Sequence, residues 1–211
     1  MINLLYSVVK AESKHHLRLP LVTALAGLGT AWLVIGTSSL DPLMLMRLVE
    51  RFLPLIGLFL LIPLVRPEDT VAIKELLLTK YRALETVFFT RLFTRFVLLA
   101  LLLSAYLYPV ARAHAIDFGA ALLHSFAIAV LVSGLGVLVA VASHNLILGY
   151  LAAFFVMISQ WFGRPEQLGW FYLGTWQADL PSRDPIYLLL GLSLMVLAFL
   201  RWKTQRLRSS Q

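Results

Sequence analysis

The sequence predicts an all-α, polytopic membrane protein with six transmembrane helices. Of its 211 residues, 60% are hydrophobic and 14% are charged, whereas soluble domains are about half apolar and about a quarter charged. Six mostly apolar runs have roughly the 20 residues that a membrane-spanning helix needs. The chain has no cysteine, which excludes disulfides, thiolate metal sites and cysteine nucleophiles. Its length allows one membrane domain, residues 1–211, and no sizeable soluble domain.

The six runs are joined by short connections except at two places. They are predicted at residues 19–40, 43–65, 92–110, 118–142, 145–162 and 185–202. The long connections are 66–91, between the second and third spans, and 163–184, between the fifth and sixth. Short connections predict that the spans they join are antiparallel neighbours. Residues 1–18 lack the apolar core of a signal peptide and are predicted to form an interfacial segment.

The basic residues predict the orientation in the membrane. With the amino terminus inside, about 13 of the 18 Lys and Arg residues fall on the inner side, as the positive-inside rule requires. The sequence therefore predicts a multi-pass protein of the inner or plasma membrane with both termini in the cytoplasm. The net charge of +7 is then explained by topology, and binding to nucleic acid is not expected.

The cytoplasmic connection 66–91 is charged and amphipathic. Pro67 ends the second span, and Glu68, Asp69 and Thr70 provide acidic and oxygen-bearing residues typical of a helix start. Apolar residues then recur every three or four positions, which predicts a helix. A helix that only lies on lipid is rich in Lys and Arg on its polar face. The two acids at the start therefore favour docking to another protein, with a lipid-surface helix as the alternative.

The order of these features resembles the permease subunits of type-2 ATP-binding-cassette (ABC) exporters. The resemblance rests on a proline and Glu68 after the second span, the sequence IKELLLTK, and a basic residue at the start of the third span. Six spans, an amino-terminal segment along the inner surface and a partly helical outer hairpin between spans five and six belong to the same pattern. Heme-exporter permeases share this architecture and size.

The resemblance implies that 66–91 is a coupling segment that docks onto separate ABC ATPase subunits. ATP and Mg would be bound on those partners, and two permease chains would pair as a homodimer or heterodimer in the lipid. The residues implied in ATPase coupling are Glu68, Lys74, Glu75, Leu77, Leu78 and Thr79. The resemblance implies export as the direction of transport but does not indicate the cargo.

Three ionisable residues in the spans are candidates for the translocation path or the dimer interface. Arg47 and Glu50 lie three residues apart in the second span and can share a helix face, and His124 lies in the fourth. Charges at membrane depth usually face protein or water. The alternative is that Arg47 and Arg51 extend to the headgroups, and that His124 is hydrogen-bonded within the bundle.

The outer hairpin, residues 163–184, is rich in aromatic residues. One interpretation is an aromatic belt at the membrane interface. The other is a re-entrant hairpin that caps an exit path. The aromatic residues concerned, with the one that precedes the hairpin, are Trp161, Trp170, Tyr172 and Trp176.

Two other functional classes were weighed against a permease. A membrane-embedded enzyme is disfavoured, since the sequence has no H-E-x-x-H zinc motif and no G-x-S-x-G nucleophile motif. It also lacks the G-x-x-x-x-G-K-[ST] phosphate-binding loop, so any ATP hydrolysis is expected on a partner subunit. An accessory scaffold or sensor subunit would use the segment 66–91 almost as well.

Overall fold

The computed structural model describes residues 17–35, 42–64, 81–114, 116–174 and 183–208. All regular secondary structure in these ranges is helical, which confirms the all-α prediction. Each predicted apolar run coincides with a long helix. The long helices are α1 (Arg18–Ile35), α2 (Pro42–Leu61), α3 (Tyr81–His114), α4 (Phe118–Ser143), α5 (Leu146–Phe162) and α6 (Asp184–Arg208).

Within the described residues, three stretches are long and apolar enough to cross a membrane, which indicates a membrane protein. They are Phe88–His114 in α3, Phe118–Ser143 in α4 and Asp184–Gln205 in α6. Two further apolar helices, Arg18–Leu33 and Leu146–Phe162, are shorter. The third predicted run is extended in the structure, since α3 begins at Tyr81 and continues to His114.

Helices α4 and α6 run side by side in the same direction. His124 contacts Asp184 near their starts, the backbones meet at Gly134 and Gly191, and Gln205 donates a hydrogen bond to the carbonyl of Val141 near their ends (3.4 Å). Helix α2 follows the same direction, because Glu50 and Gly57 also meet α4 in increasing order along the chain. The starts of α2, α4 and α6 therefore share one end of the bundle.

Helix α4 occupies the centre and touches its neighbours through glycine. A Cβ atom added to Gly191 of α6 would lie 2.7 Å from backbone atoms of α4, and one added to Gly149 of α5 would lie 2.5 Å from the carbonyl of Gly136. At Gly57 of α2 the added atom would lie 2.8 Å from the Ala129 Cβ. Small residues let helix backbones approach this closely. The glycine contacts thus hold α2, α5 and α6 around α4.

We expect Gly191→Ala to destabilise the bundle by about 1–3 kcal/mol, because the clash is with backbone that no side-chain rotation relieves. The measurement is thermal unfolding of the purified protein in one detergent. Gly29→Ala is the matched control, since a Cβ at Gly29 of α1 meets nothing within 4 Å. An equal loss of stability in both variants would contradict a close α4–α6 crossing.

Large apolar side chains face outward along α3 and α5. On α3 they are Phe89, Phe93, Val97, Leu101 and Tyr108; on α5 they are Ile147, Leu151, Phe155, Ile158 and Phe162. Soluble monomers rarely expose contiguous apolar surfaces of this kind. These helices therefore present a surface suited to lipid.

The connection between α4 and α5 is a two-residue turn, as the sequence predicts. His144 adopts a left-handed conformation (φ 54°), and its N–H caps the last turn of α4. The side chain of Asn145 then accepts a hydrogen bond from the N–H of Ile147 at the start of α5 (2.9 Å). Helix α4 itself begins at a similar cap, the carboxylate of Asp117. These caps fix where the central helix starts and ends.

Candidate functional site

Three ionisable side chains meet inside the bundle where α2, α4 and α6 begin. The His124 Nε2 atom lies 3.1 Å from Glu50 Oε1, and the His124 Nδ1 atom lies 2.6 Å from Asp184 Oδ1. The exposed fractions are 6% for Glu50, 1% for His124 and 3% for Asp184. We call Glu50, His124 and Asp184 the ionic cluster. Its three members come from three different helices.

The parallel course of the three helices explains why these residues meet. Glu50 lies in the first half of α2, His124 lies in the second turn of α4, and Asp184 is the first residue of α6. Asp184 is therefore also favoured by the positive end of the α6 dipole. Below the cluster, the close approach of α6 at Gly191 and of α2 at Gly57 brings both helices onto α4. The cluster ties together the same three helices that the glycines bring into contact.

The two hydrogen bonds of the ionic cluster require two protons, one between each ring nitrogen of His124 and the carboxylate that it faces. Each ring nitrogen of His124 faces a carboxylate oxygen, and an ionised carboxylate is only an acceptor. The imidazolium form satisfies both contacts by donating at both nitrogens. A neutral ring satisfies both only if one carboxyl is protonated. In either arrangement the three groups carry a net charge of −1. Both hydrogen bonds therefore exist only while the cluster holds two protons.

The geometry does not suit a metal ion, because both ring nitrogens of His124 are directed at carboxylates. In the described ranges, no three His, Cys, Asp or Glu side chains converge in a way that could hold one. The arrangement can hold three helices together, and it can bind and release protons.

The described part of the hairpin, residues 163–174, folds back onto this end of the bundle. It contains the single-turn helix Pro165–Leu168 and the 3₁₀ turn Gly169–Phe171. Gln160 of α5 binds the returning chain at two points. Its Nε2 donates to the Phe171 carbonyl at 2.8 Å, and its Oε1 accepts from the N–H of Leu173 at 2.9 Å. The chain after the 3₁₀ turn therefore lies against α5.

The returning chain also contacts the neighbours of the ionic cluster. The Tyr187 hydroxyl of α6 donates to the Tyr172 carbonyl at 3.0 Å. A Cβ added at Gly174 would lie 3.0 Å from Glu50 Oε2 and 2.9 Å from the Tyr172 hydroxyl. The hairpin backbone at Gly174 thus leaves no free space for a Cβ atom beside the Glu50 carboxylate, and a larger residue would displace one of these groups.

A small pocket that is open to solvent reaches the Glu50 carboxylate. Its polar and aromatic side chains come from α2, α5 and the hairpin, and Gly174 completes the hairpin side. The polar and aromatic residues are Glu50, Arg51, Gln160, Trp161 and Tyr172. The cluster is therefore buried against protein on most sides and connected to the surface on one.

The structure brings together two of the candidate residues. Glu50 and His124, which are 74 positions apart, are in direct contact, and His124 is hydrogen-bonded within the bundle, as one of the two interpretations predicts. Arg47 lies on α2, but its side chain is outside the described residues. The six predicted coupling residues, Glu68, Lys74, Glu75, Leu77, Leu78 and Thr79, also lie outside them.

Two of the four aromatic residues named for the hairpin have described side chains. Tyr172 is buried, and its carbonyl accepts a hydrogen bond from Tyr187. Trp161 is half-buried and packs on Phe52, with ring centroids 5.5 Å apart. The side chain of Trp170 and all of Trp176 lie outside the described residues.

The sequence analysis missed Asp184, Gln160 and Tyr187 as members of the site. Asp184 precedes Pro185 at the start of an apolar run and has the pattern of an ordinary helix start. The signal that could have singled it out is an acid entering a predicted span at the same end as Glu50 and His124. No comparable signal marks Gln160 or Tyr187, whose roles depend on where the hairpin returns.

At the opposite end of the bundle, Arg95 of α3 is completely buried. Its Nη1 atom donates to the Leu60 carbonyl in the last turn of α2 at 2.9 Å. A cation at this position satisfies a carbonyl that the helix itself leaves open and favours the negative end of the helix dipole. The start of α3 is further packed on α6 through Phe88, Phe199 and Trp202.

Comparisons with known protein families, with curated proteins and with solved structures found no match to this chain.

Proposed function

We propose that this chain is the six-span permease subunit of an ATP-driven exporter resembling the type-2 ABC exporters. Two copies, or this chain and a similar one, would form the translocation path in a cell membrane. The energy would come from ABC ATPase subunits that bind ATP and Mg, and the segment 66–91 would dock onto them. The cargo is left open.

The observation that carries the proposal is the course of the chain between α5 and α6. Residues 163–174 are partly helical, fold back onto the bundle, and contact α5 through Gln160 and α6 through Tyr187. The resemblance implies a partly helical hairpin in this place. A buried group of ionisable residues beneath the hairpin further supports a transport role, because such residues in membrane helices commonly mark ion or substrate pathways.

The helical arrangement gives a route for transmission from the proposed coupling segment. That segment follows α2 and leads into α3, and the Arg95–Leu60 hydrogen bond joins these two helices inside the bundle. Helix α2 then continues to Glu50 at the other end. A push on the segment 66–91 would therefore act on helices that lead directly to the ionic cluster.

The orientation that fits this proposal places the start of α2, α4 and α6 on the outer side and both termini in the cytoplasm. The hairpin and the ionic cluster would then face the exterior, where cargo leaves. The positive-inside distribution of Lys and Arg supports this orientation.

The test uses tagged chain purified from its native membrane. We expect Glu68→Arg to reduce the amount of co-purified ATPase by about tenfold, since a reversed charge at a docking contact costs at least 1.4 kcal/mol. Arg208→Glu, beyond the last span, is the matched charge-reversal control and should leave the yield unchanged. Equal ATPase recovery with all three proteins would argue against docking through Glu68. Recovery of a partner other than an ATPase would favour the accessory scaffold.

A further inference from the structure

We infer that the ionic cluster is a proton-binding site whose bound proton holds hairpin residues 171–174 against the bundle. The inference deepens the proposed function, since a segment over the outer end of an export path must be released for cargo to leave. The ligand of the site is the proton itself, supplied by water in the pocket beside Glu50.

The ionic cluster adjoins the described part of the hairpin through Glu50. Gly174 is so close that a Cβ atom added there would lie 3.0 Å from Glu50 Oε2 and 2.9 Å from the Tyr172 hydroxyl. Asp184, which contacts His124, is the first residue of α6, and Tyr187 of the same helix donates to the Tyr172 carbonyl. A shift of the Glu50 carboxylate would therefore change the packing at Gly174, and a shift of Asp184 would act on the helix that holds Tyr172.

Proton content decides whether the cluster holds together. With two protons, both contacts of His124 are hydrogen bonds and the net charge is −1. With one proton, the neutral ring donates to one carboxylate while its other nitrogen faces the second with no hydrogen between them. The net charge is then −2, and like charges repel each other strongly in a buried site. Proton loss therefore drives one carboxylate away from His124.

The pocket provides the route for the proton. Glu50 lines it, together with Arg51, Gln160 and Tyr172. A proton leaving the His124 Nε2 atom passes to the Glu50 carboxylate and from there to water, so no other acceptor is needed. Asp184 retains its contact with the ring during this step, and the Glu50 contact, which supports Gly174, is the one that opens.

The other charged and titratable groups around the cluster lie at its edges. Arg51 is beside Glu50 on the pocket wall, and Arg183 and Tyr187 flank Asp184 at the start of α6. On the hairpin side the facing group is the Tyr172 hydroxyl. At the same end of α3, Arg112 lies 5.6 Å from the centre of the Tyr108 ring. Glu50 and Asp184 contact the imidazole directly, one at each ring nitrogen.

The experiment measures how readily the hairpin leaves the bundle. Because the chain has no cysteine, single introduced cysteines report on single sites. Leu173→Cys places a thiol at a buried position (6% exposed), and Phe171→Cys places one at an exposed position (81%). The labelling rate with a maleimide is measured for each in membranes without ATP. The ratio of the Leu173→Cys rate to the Phe171→Cys rate removes the intrinsic effect of pH on thiol reactivity.

We expect this ratio to rise about tenfold or more between about pH 5.5 and pH 9. In a Glu50→Gln background the rise should disappear, because the neutral amide cannot repel Asp184 or the unprotonated ring. In a His124→Gln background the ratio should be high at every pH. Asp184→Asn provides a second test of the charge if Glu50→Gln does not fold.

A constant ratio in the otherwise unchanged chain would overturn the inference. The same pH-dependent rise in Glu50→Gln, or a ratio that stays low in His124→Gln, would also overturn it. None of these measurements involves an ATPase. A result that overturns the proton site would therefore not contradict the proposed exporter function. In the same way, a result that overturns the exporter function would not contradict the proton site.

Discussion

Replacing His124 by leucine is expected to destabilise the protein by about 3–5 kcal/mol, the usual effect of removing one partner from a buried ionic contact. The substitution leaves the carboxylates of Glu50 and Asp184 facing an apolar side chain, although both are almost fully buried. The measurement is thermal unfolding of purified protein in a nanodisc. The unfolding temperature should fall well below that of the unchanged chain.

A triple variant separates charge from packing. Glu50→Met, His124→Leu and Asp184→Leu together remove every charge of the ionic cluster and leave no buried polar side chain in its place. Buried ionic groups replaced as a set by apolar residues of similar volume often cost little stability, so the triple variant should recover most of what His124→Leu loses. If it is as unstable as the single variant, the role of His124 is packing, and the ionic account of the cluster is wrong.

Arg95→Ala is expected to cost about 2–4 kcal/mol, because it removes a large buried side chain and leaves the Leu60 carbonyl without this donor. Arg95 is completely buried, and its hydrogen bond joins α3 to the last turn of α2. The same nanodisc unfolding measurement applies. Arg95→Lys should lose less, since the ammonium keeps the charge near the negative end of the helix, although it loses the planar donor geometry of guanidinium.

The control for Arg95 is Arg201→Ala in α6. Arg201 is exposed, and surface charges contribute little to stability, so this variant should unfold within about 0.5 kcal/mol of the unchanged chain. If Arg95→Ala also unfolds near the unchanged temperature, the hydrogen bond to Leu60 does not support the junction of α2 and α3. The transmission route proposed above would then lose its basis.

The helices could be predicted from the sequence because long apolar runs without turn residues favour helices. Each predicted apolar run corresponds to a helix in the described ranges, and three of these helices contain stretches long and apolar enough to cross a membrane. The boundary between α4 and α5 at His144 and Asn145 agrees closely. Gly134 and Gly136 lie close together in the fourth predicted span, a pattern typical of a close helix-packing face, and in the structure their partners are Gly191 and Gly149. These features depend on the pattern of apolar and small residues within one segment, which can be identified in a single sequence.

The ionic cluster could be predicted only in part. Glu50 and His124 stand out because ionisable residues are rare at membrane depth. Their contact, and the addition of Asp184, depend on three helices running in parallel with a particular alignment, and the residues are separated by 74 and 60 positions. No periodicity within one helix specifies how far it is shifted along its neighbour.

The place of Arg95 was also beyond sequence reasoning. Arg95 is the fourth residue of the predicted span 92–110, and the charge pattern places it among the basic residues of the inner side. The structure shows it fully buried, with the Leu60 carbonyl as a partner. An arginine that is buried in the bundle and one that extends to the lipid headgroups have the same sequence pattern. The difference lies in the neighbouring helix end, which provides an acceptor inside the bundle.

The most direct test of the exporter proposal is the native mass of the complex purified by a tag on this chain from its own membrane. The proposal predicts two permease chains together with two ATPase subunits that contain a phosphate-binding loop of the G-x-x-x-x-G-K-[ST] type. Recovery of this chain alone, or with partners that lack such a loop, would contradict the proposal.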